Sequence, residues 1–204
     1  MFIARILYPV KVLGPGKRIA LWMVGCSHAC KGCCNPELWI QSAEYYITSE
    51  KFEELIDNIA SKFEVDGFTI TGGDPFYNPS DLNNILDVLR KFSTDIIVYT
   101  GYRYDVLKKR CDCRDCLNKI TVLIDGPYIE KYNNGSFLRG SSNQNIIILD
   151  EKYRDFYSKY TATGVNMIQN FMTKTGFISV GIHDKDYERK LNRLITNKNI
   201  IIED

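Results

Sequence analysis

Gly25-Cys26-Ser27-His28-Ala29-Cys30-Lys31-Gly32-Cys33-Cys34-Asn35-Pro36 is the stretch around which the rest of the chain reads. It leaves an apolar run, Ile19-Ala20-Leu21-Trp22-Met23-Val24, with the length and composition of a buried strand. Cys26, Cys30 and Cys33 stand at C-x3-C-x2-C spacing, so three thiolates on one loop can converge on a single inorganic centre. Sulfur ligands select iron–sulfur clusters or zinc. Zinc would take a fourth ligand, from Cys34 or His28. A cubane held by three protein thiolates instead leaves one iron open to a reactant.

Downstream, strand and helix patterns alternate. Thr48 or Ser49 can cap a helix whose apolar face is Phe52, Leu55, Ile56, Ile59, Ala60 and Phe63. The strand Gly67-Phe68-Thr69-Ile70-Thr71 follows and ends in Gly72-Gly73-Asp74-Pro75; Asn78-Pro79 then opens a helix carrying Leu82, Ile85, Leu86, Leu89 and Phe92. Further strands are expected at 95–100, 120–125 and 145–149, with a short helix at 102–110 between the first two. This alternation implies an α/β fold with a parallel sheet and right-handed crossovers. Beyond it, 165–171 and 177–182 read as two strands of a hairpin around 173–176. A surface helix at 184–197 would turn Leu191, Leu194 and Ile195 inward, and 199–202 would add an edge strand. The whole, 1–204, reads as one domain with a core of about 10–150 and an extension of about 151–204 packed on it.

In such sheets ligands bind at the carboxyl ends of the strands, where Gly72, Gly73 and Asp74, then Thr100, then Asp125 stand. Glycines admit close backbone approach, and a carboxylate accepts charge-assisted bonds from an ammonium. Asp74, Thr100 and Asp125 serve equally well as caps or turn formers. Arg139-Gly140-Ser141-Ser142-Asn143-Gln144 offers a guanidinium with backbone and hydroxyl donors, a set suited to a carboxylate, to a partner-docking surface or to an ordinary polar loop. Cys111-Asp112-Cys113-Arg114-Asp115-Cys116 gathers three more thiols, either a second metal site or a polar loop. His183 reads as a satisfied histidine.

Composition narrows the class. A formal net charge of +1 with dispersed Lys and Arg gives no nucleic-acid signal. Arg5 inside the apolar start and the lack of a cleavage site argue against a signal peptide, and no apolar run approaches a membrane span. The expected compartment is the cytoplasm, where thiols stay reduced and seven cysteines point to metal or catalysis rather than to disulfides.

The three-cysteine loop followed by Gly72-Gly73-Asp74-Pro75 resembles radical S-adenosylmethionine (SAM) enzymes. Gly14-Pro15-Gly16-Lys17-Arg18, Gly25-Cys26, Cys34-Asn35-Pro36, Asp125-Gly126-Pro127-Tyr128 and Arg139 to Gln144 narrow the resemblance to the activating proteins of anaerobic (class III) ribonucleotide reductase, over about residues 10–148. The resemblance implies an incomplete (partial) radical SAM (β/α) barrel with a parallel sheet, open on one side. It implies a [4Fe–4S] cluster on Cys26, Cys30 and Cys33, and SAM held by Gly32, Cys33, Cys34, Gly72, Gly73, Asp74, Thr100, Asp125 and Arg139, with no catalytic side chain beyond cluster and SAM. The implied reaction is reductive cleavage of SAM to place a glycyl radical on the reductase large subunit, with a reduced flavodoxin- or ferredoxin-type protein as electron donor. Two departures stand out. Gly32 replaces the aromatic residue common before the third cysteine, which leaves adenine to the loop backbone of 32–34, and Asp74 replaces the commoner Glu. The alternatives are a radical SAM enzyme acting on another glycyl-radical enzyme or a small molecule, and, from another class, a non-catalytic metal-binding or electron-transfer module.

Overall fold

The computed structural model describes residues 1–173 and 176–197. Its elements are β1 (Ile3–Val10), β2 (Arg18–Met23), α1 (Ser49–Ala60), β3 (Gly67–Gly72), α2 (Pro79–Leu89), β4 (Ile96–Tyr99), α3 (Tyr104–Leu107), α4 (Arg114–Leu117), β5 (Val122–Asp125), β6 (Asn145–Ile148), α5 (Arg154–Thr163), β7 (Ile168–Thr173), β8 (Gly176–Gly181) and α6 (Tyr187–Asn197). The strand expected at 199–202 and the side chains of Leu194 and Ile195 lie outside the described residues.

One six-stranded sheet runs in the order β1-β2-β3-β4-β5-β6. β2 to β5 are parallel, as the alternation requires, but both edges are antiparallel. The expectation of a wholly parallel sheet is therefore corrected. A parallel return needs a crossover, usually a helix. The chain between β5 and β6 forms no α-helix, so β6 comes back antiparallel, pairing Asn145 with Asp125. β1 likewise reaches β2 through a short turn and pairs Val10 with Arg18.

α1 and α2 cover one face of the sheet. Thr48 Oγ1 accepts from Lys51 N at 3.3 Å, and Asn78 Oδ1 accepts from Asp81 N at 3.2 Å, so both helices start where the capping residues place them. Phe52, Ile56, Leu82, Ile85, Leu86 and Leu89 pack against Ile19, Leu21, Phe68, Ile70, Ile96 and Val98. Each such side chain contributes about 1.5–3 kcal/mol of burial. The buried stripe of α1 is narrower than its periodicity suggests: Leu55 is 39% and Phe63 55% exposed, because a single sheet below the helix covers only the line of Phe52 and Ile56.

The other face is covered from the C-terminal side. Tyr157 of α5 packs with Ile97, Val122, Ile124 and Leu138, and Val180 of β8 with Val10, Ala20, Trp22, Val24 and Leu38. The β7–β8 hairpin is tied at two points. Gln169 Nε2 donates to Pro9 O at 2.7 Å while its Oε1 accepts from Lys11 N at 3.0 Å, and Asn166 Oδ1 accepts from Leu138 N at 3.0 Å. It thus straps the β1 edge to the loop that follows β5.

Arg18, fully buried, locks the amino ends of the parallel strands. Its Nη1 lies 3.1 Å from Asp95 Oδ2 and its Nε donates to Thr69 Oγ1 at 2.8 Å, while Tyr157 donates its hydroxyl to Asp95. Breaking a buried ion pair from one side strands a charge, at a cost of about 3–5 kcal/mol. Asp95→Ala should therefore lower the melting temperature by roughly 6–20 °C by circular dichroism, and Arg18→Met in the same chain should restore much of that loss. An unchanged melting temperature in the single variant would show that the pair does not hold the strand ends.

Candidate metal and cofactor site

The cysteine loop springs from the carboxyl end of β2 and is pinned at its base. Gly25 N donates to Leu38 O at 2.8 Å and Cys26 N to Trp39 O at 3.0 Å, so the residues between them form a closed bight. Inside it the backbone turns through left-handed Ala29 (φ 46°) and Gly32 (φ 74°), and Cys33 N donates to Cys30 O at 3.1 Å. Arg5 of β1 holds the outgoing limb: Nη1 donates to Asn35 Oδ1 at 3.2 Å and Nη2 to Glu37 Oε1 at 2.6 Å.

Cys26, Cys30 and Cys33 are free and partly buried. Burial pushes the Cys26 and Cys30 thiols above their ordinary range. Backbone N–H groups oppose that rise, from His28 and Ala29 at Cys26 and from Tyr128 at Cys30. Asn35 N lies 3.4 Å from Cys33 Sγ. The loop therefore aims N–H donors at its sulfurs, the arrangement that stabilises thiolates and tunes iron–sulfur centres.

Gly72 and Gly73 lie directly under the base of this loop. A methyl at Gly72 would stand 2.2 Å from Met23 O, and one at Gly73 would stand 2.5 Å from Gly25 O and 2.7 Å from Leu38 O. Gly73 N and Asp74 N donate to Met23 O and Gly25 O, both at 2.8 Å. The glycine pair is thus demanded by backbone lying on backbone, whatever ligand it also meets.

Asp74, only 2% exposed, is the hub. Its Oδ1 accepts from Phe76 N and Thr100 Oγ1, both at 2.9 Å, and its Oδ2 accepts from Gly101 N at 2.8 Å. Asp125, equally buried, accepts from Tyr104 N and from Asn145 Nδ2, both at 2.7 Å. Asp74 caps the 75–77 turn, while Thr100 Oγ1 accepts from Tyr102 N at 3.1 Å and Asp125 orders the start of α3.

Gly32 faces the loop after β5: a methyl there would meet Glu130 Oε1 at 3.2 Å and Tyr128 Cε1 at 3.5 Å. The 139–144 segment folds back onto this same loop. Gln144 Nε2 donates to Gly126 O, Asn143 Nδ2 to Pro127 O, both at 2.8 Å, and Ile129 N to Ser141 Oγ at 3.1 Å. Arg139 donates Nη1 to Gln144 O at 3.3 Å, whereas its buried Nε has no partner among the described residues. Cys34 is exposed, its sulfur 3.3 Å from Asn35 Nδ2.

A family model described as a 4Fe-4S single cluster domain matches residues 12–147. Among curated proteins, the anaerobic ribonucleoside-triphosphate reductase-activating protein of Enterobacteria phage T4 is 34% identical over 145 residues, 69% of this chain and 90% of the relative. Its namesake from Haemophilus influenzae is 36% identical over 147 residues (68% and 93%), and that from Vibrio cholerae 35% over 148 residues (68% and 93%). No solved structure matches the chain. The chain belongs to the family of anaerobic ribonucleoside-triphosphate reductase-activating proteins.

Three partly buried thiols with N–H groups turned toward them suit a sulfur-ligated cluster, the centre that the matching family model describes. The second cysteine group has a different fate. Cys113 and Cys116 are buried in the core beside α2, with Cys116 Sγ 3.3 Å from Pro79 O, and Cys111 is exposed. Burial pushes Cys113 up to about 11 and Cys116 up to about 12, which leaves both as neutral thiols.

Arg5 belongs to this site although no sequence pattern assigns it a place; Gly101 is expected there beside Thr100, on the ribose and methionine side, by the resemblance, Tyr128 stands in the motif Asp125-Gly126-Pro127-Tyr128, and His28 enters in sequence only as a zinc ligand. Gly73→Ala, which must part the loop base from β3, should cost about 1–3 kcal/mol and leave the reconstituted chain short of iron. Cys116→Ala should cost about 1 kcal/mol with iron and sulfide per chain unchanged. Full iron loading of the first variant, or iron loss in the second, measured by colorimetric assay, would contradict the site drawn here.

Proposed function

We propose that the chain is a radical SAM activating enzyme that cleaves SAM reductively and generates a glycyl radical on the large subunit of anaerobic ribonucleotide reductase. The observation that carries this reading is the juxtaposition of a partly buried three-thiol loop with the Gly72-Gly73-Asp74 strand end, in a chain of the activating-protein family. Bound together, a [4Fe–4S] cluster and SAM supply one-electron cleavage of the sulfonium and abstraction of a hydrogen atom from a glycine.

The chain's own residues bind, orient and exclude. Cys26, Cys30 and Cys33 hold the cluster by three thiolates, which leaves one iron for SAM. The ammonium of SAM suits the backbone carbonyls around Gly72 and Gly73. Asp74, already engaged by Thr100, Gly101 and Phe76, lends its negative charge from behind them rather than reaching out. Arg139, with a spare buried Nε, suits the carboxylate. The loop backbone of 32–34 and the neighbouring Tyr128 ring suit adenine. Thr100 and Asp125 order the two flanking strand ends. The four parallel strands are read as part of an incomplete radical SAM (β/α) barrel, and a reduced flavodoxin- or ferredoxin-type protein as the electron source. No helix among the described residues is long and apolar enough to cross a membrane; reduced thiols and the proposed partner suit the cytoplasm.

The test is 5′-deoxyadenosine formation by anaerobically reconstituted, dithionite-reduced protein given SAM, with and without the reductase. The wild type should form it and Cys30→Ala should form none above background. A fully loaded wild type that forms none even with the reductase present would overturn the reading.

A further inference from the structure

His28 reaches out of the cysteine loop to the strand ends. Its Nε2 lies 2.8 Å from Asp74 Oδ2, and its ring stands edge-on to Tyr102, centroids 4.5 Å apart at 69°. Beneath it is Gly101, where a methyl would lie 2.4 Å from Cδ2 and 2.7 Å from Nε2 of the imidazole. The ring thus fills the space that the missing side chain of Gly101 leaves open, while Gly101 N holds Asp74 from below. Ser27 Oγ, one residue earlier, approaches Tyr102 OH at 3.5 Å. Nε2 makes no hydrogen bond to the carboxylate despite its nearness, so the contact acts by fit. His28 sits two residues from Cys26 and two from Cys30. Wherever the imidazole is seated, those thiolates are seated too.

We propose that His28 is a positioning residue, a peg that seats the Cys26–Cys30 segment on the ends of β3 and β4 by filling the notch over Gly101 against Asp74. The inference rests on the reading of this loop as the cluster loop. It accounts for a glycine at 101, at an ordinary φ where the backbone alone would tolerate alanine. It also gives Asp74 a second duty: besides ordering β3 and β4, it fixes the height of the loop above them.

The experiment compares full-length wild type with His28→Ala, His28→Gln, Gly101→Ala and the His28→Ala/Gly101→Ala pair, all reconstituted with iron and sulfide. Three quantities are read: the rate at which a ferrous chelator strips iron, the change in the electron paramagnetic resonance spectrum of the reduced cluster on adding SAM, and the melting temperature of the metal-free chain. His28→Ala and Gly101→Ala should each release iron about tenfold faster, and the pair should be no faster than either alone, because both remove the same contact. His28→Gln, whose side chain is long enough to fill the notch over Gly101, should return to near the wild-type rate and restore a SAM response that His28→Ala weakens. The metal-free melting temperature should stay within about 3 °C throughout. Wild-type iron release in His28→Ala, effects that multiply in the pair, or a melting temperature that falls in step with iron release would overturn the peg. A wild-type spectrum indifferent to SAM would instead count against the SAM reading, and the iron-release cycle would then decide the peg by itself.

Discussion

A buried carboxylate at the end of β3 is what the rest of the site depends on. Asp74 has almost no access to water, and its oxygens are met by Phe76 N, Thr100 Oγ1 and Gly101 N. A buried anion survives only when hydrogen bonds replace its hydration. The chain satisfies that demand by drawing the start of the 75–77 turn and the end of β4 to one point, against which His28 of the cysteine loop also packs. Three segments far apart in sequence are thereby held at fixed mutual height. The backbone bonds from Gly73 and Asp74 to Met23 and Gly25 complete the joint. Asp125 repeats the device one strand further along, tying the start of α3 to β6.

Stability and chemistry occupy opposite ends of the same sheet. At the amino ends, Arg18, Asp95, Thr69 and Tyr157 form a buried, mutually satisfied cluster, costly to break from one side. At the carboxyl ends the loops are irregular, left-handed in places and rich in sulfur. Loops can carry such features only on a rigid support, and the helices on one face together with α5 and the β7–β8 hairpin on the other provide it. The hairpin lies beyond the region matched by the family model, which ends at residue 147. It spans from β1 to the loop after β5 through Gln169 and Asn166, so a sheet that does not close on itself is held across its open side by side-chain amides.

Much of this was legible in the chain itself. The cysteine spacing, the caps at Thr48 and Asn78 and the alternation of strand and helix led to the parallel centre of the sheet and to the cysteine loop at its carboxyl ends. The edges were not legible, because an apolar run such as Ile146-Ile147-Ile148 carries no direction; only the absence of a crossover helix shows it must run antiparallel. α5 was hidden by its polar and aromatic composition, since its burial rests on Tyr157 rather than on a wide apolar stripe. Cys111, Cys113 and Cys116 read as either a second metal site or a polar loop, and neither reading shows that Cys113 and Cys116, three apart on helical turns, share a face that is turned to the core. The His28 contact was invisible for a different reason: it joins a loop to a strand end through space, and no local pattern announces it.

The most direct measurement follows the hydrogen atom. Reductase large subunit labelled with α-deuterated glycine, incubated with the reduced, reconstituted chain and SAM, should yield 5′-deoxyadenosine carrying deuterium, together with a glycyl radical signal on the reductase. Unlabelled 5′-deoxyadenosine and a reductase without the radical would contradict the account, since SAM cleavage would then be uncoupled from any glycine of the partner.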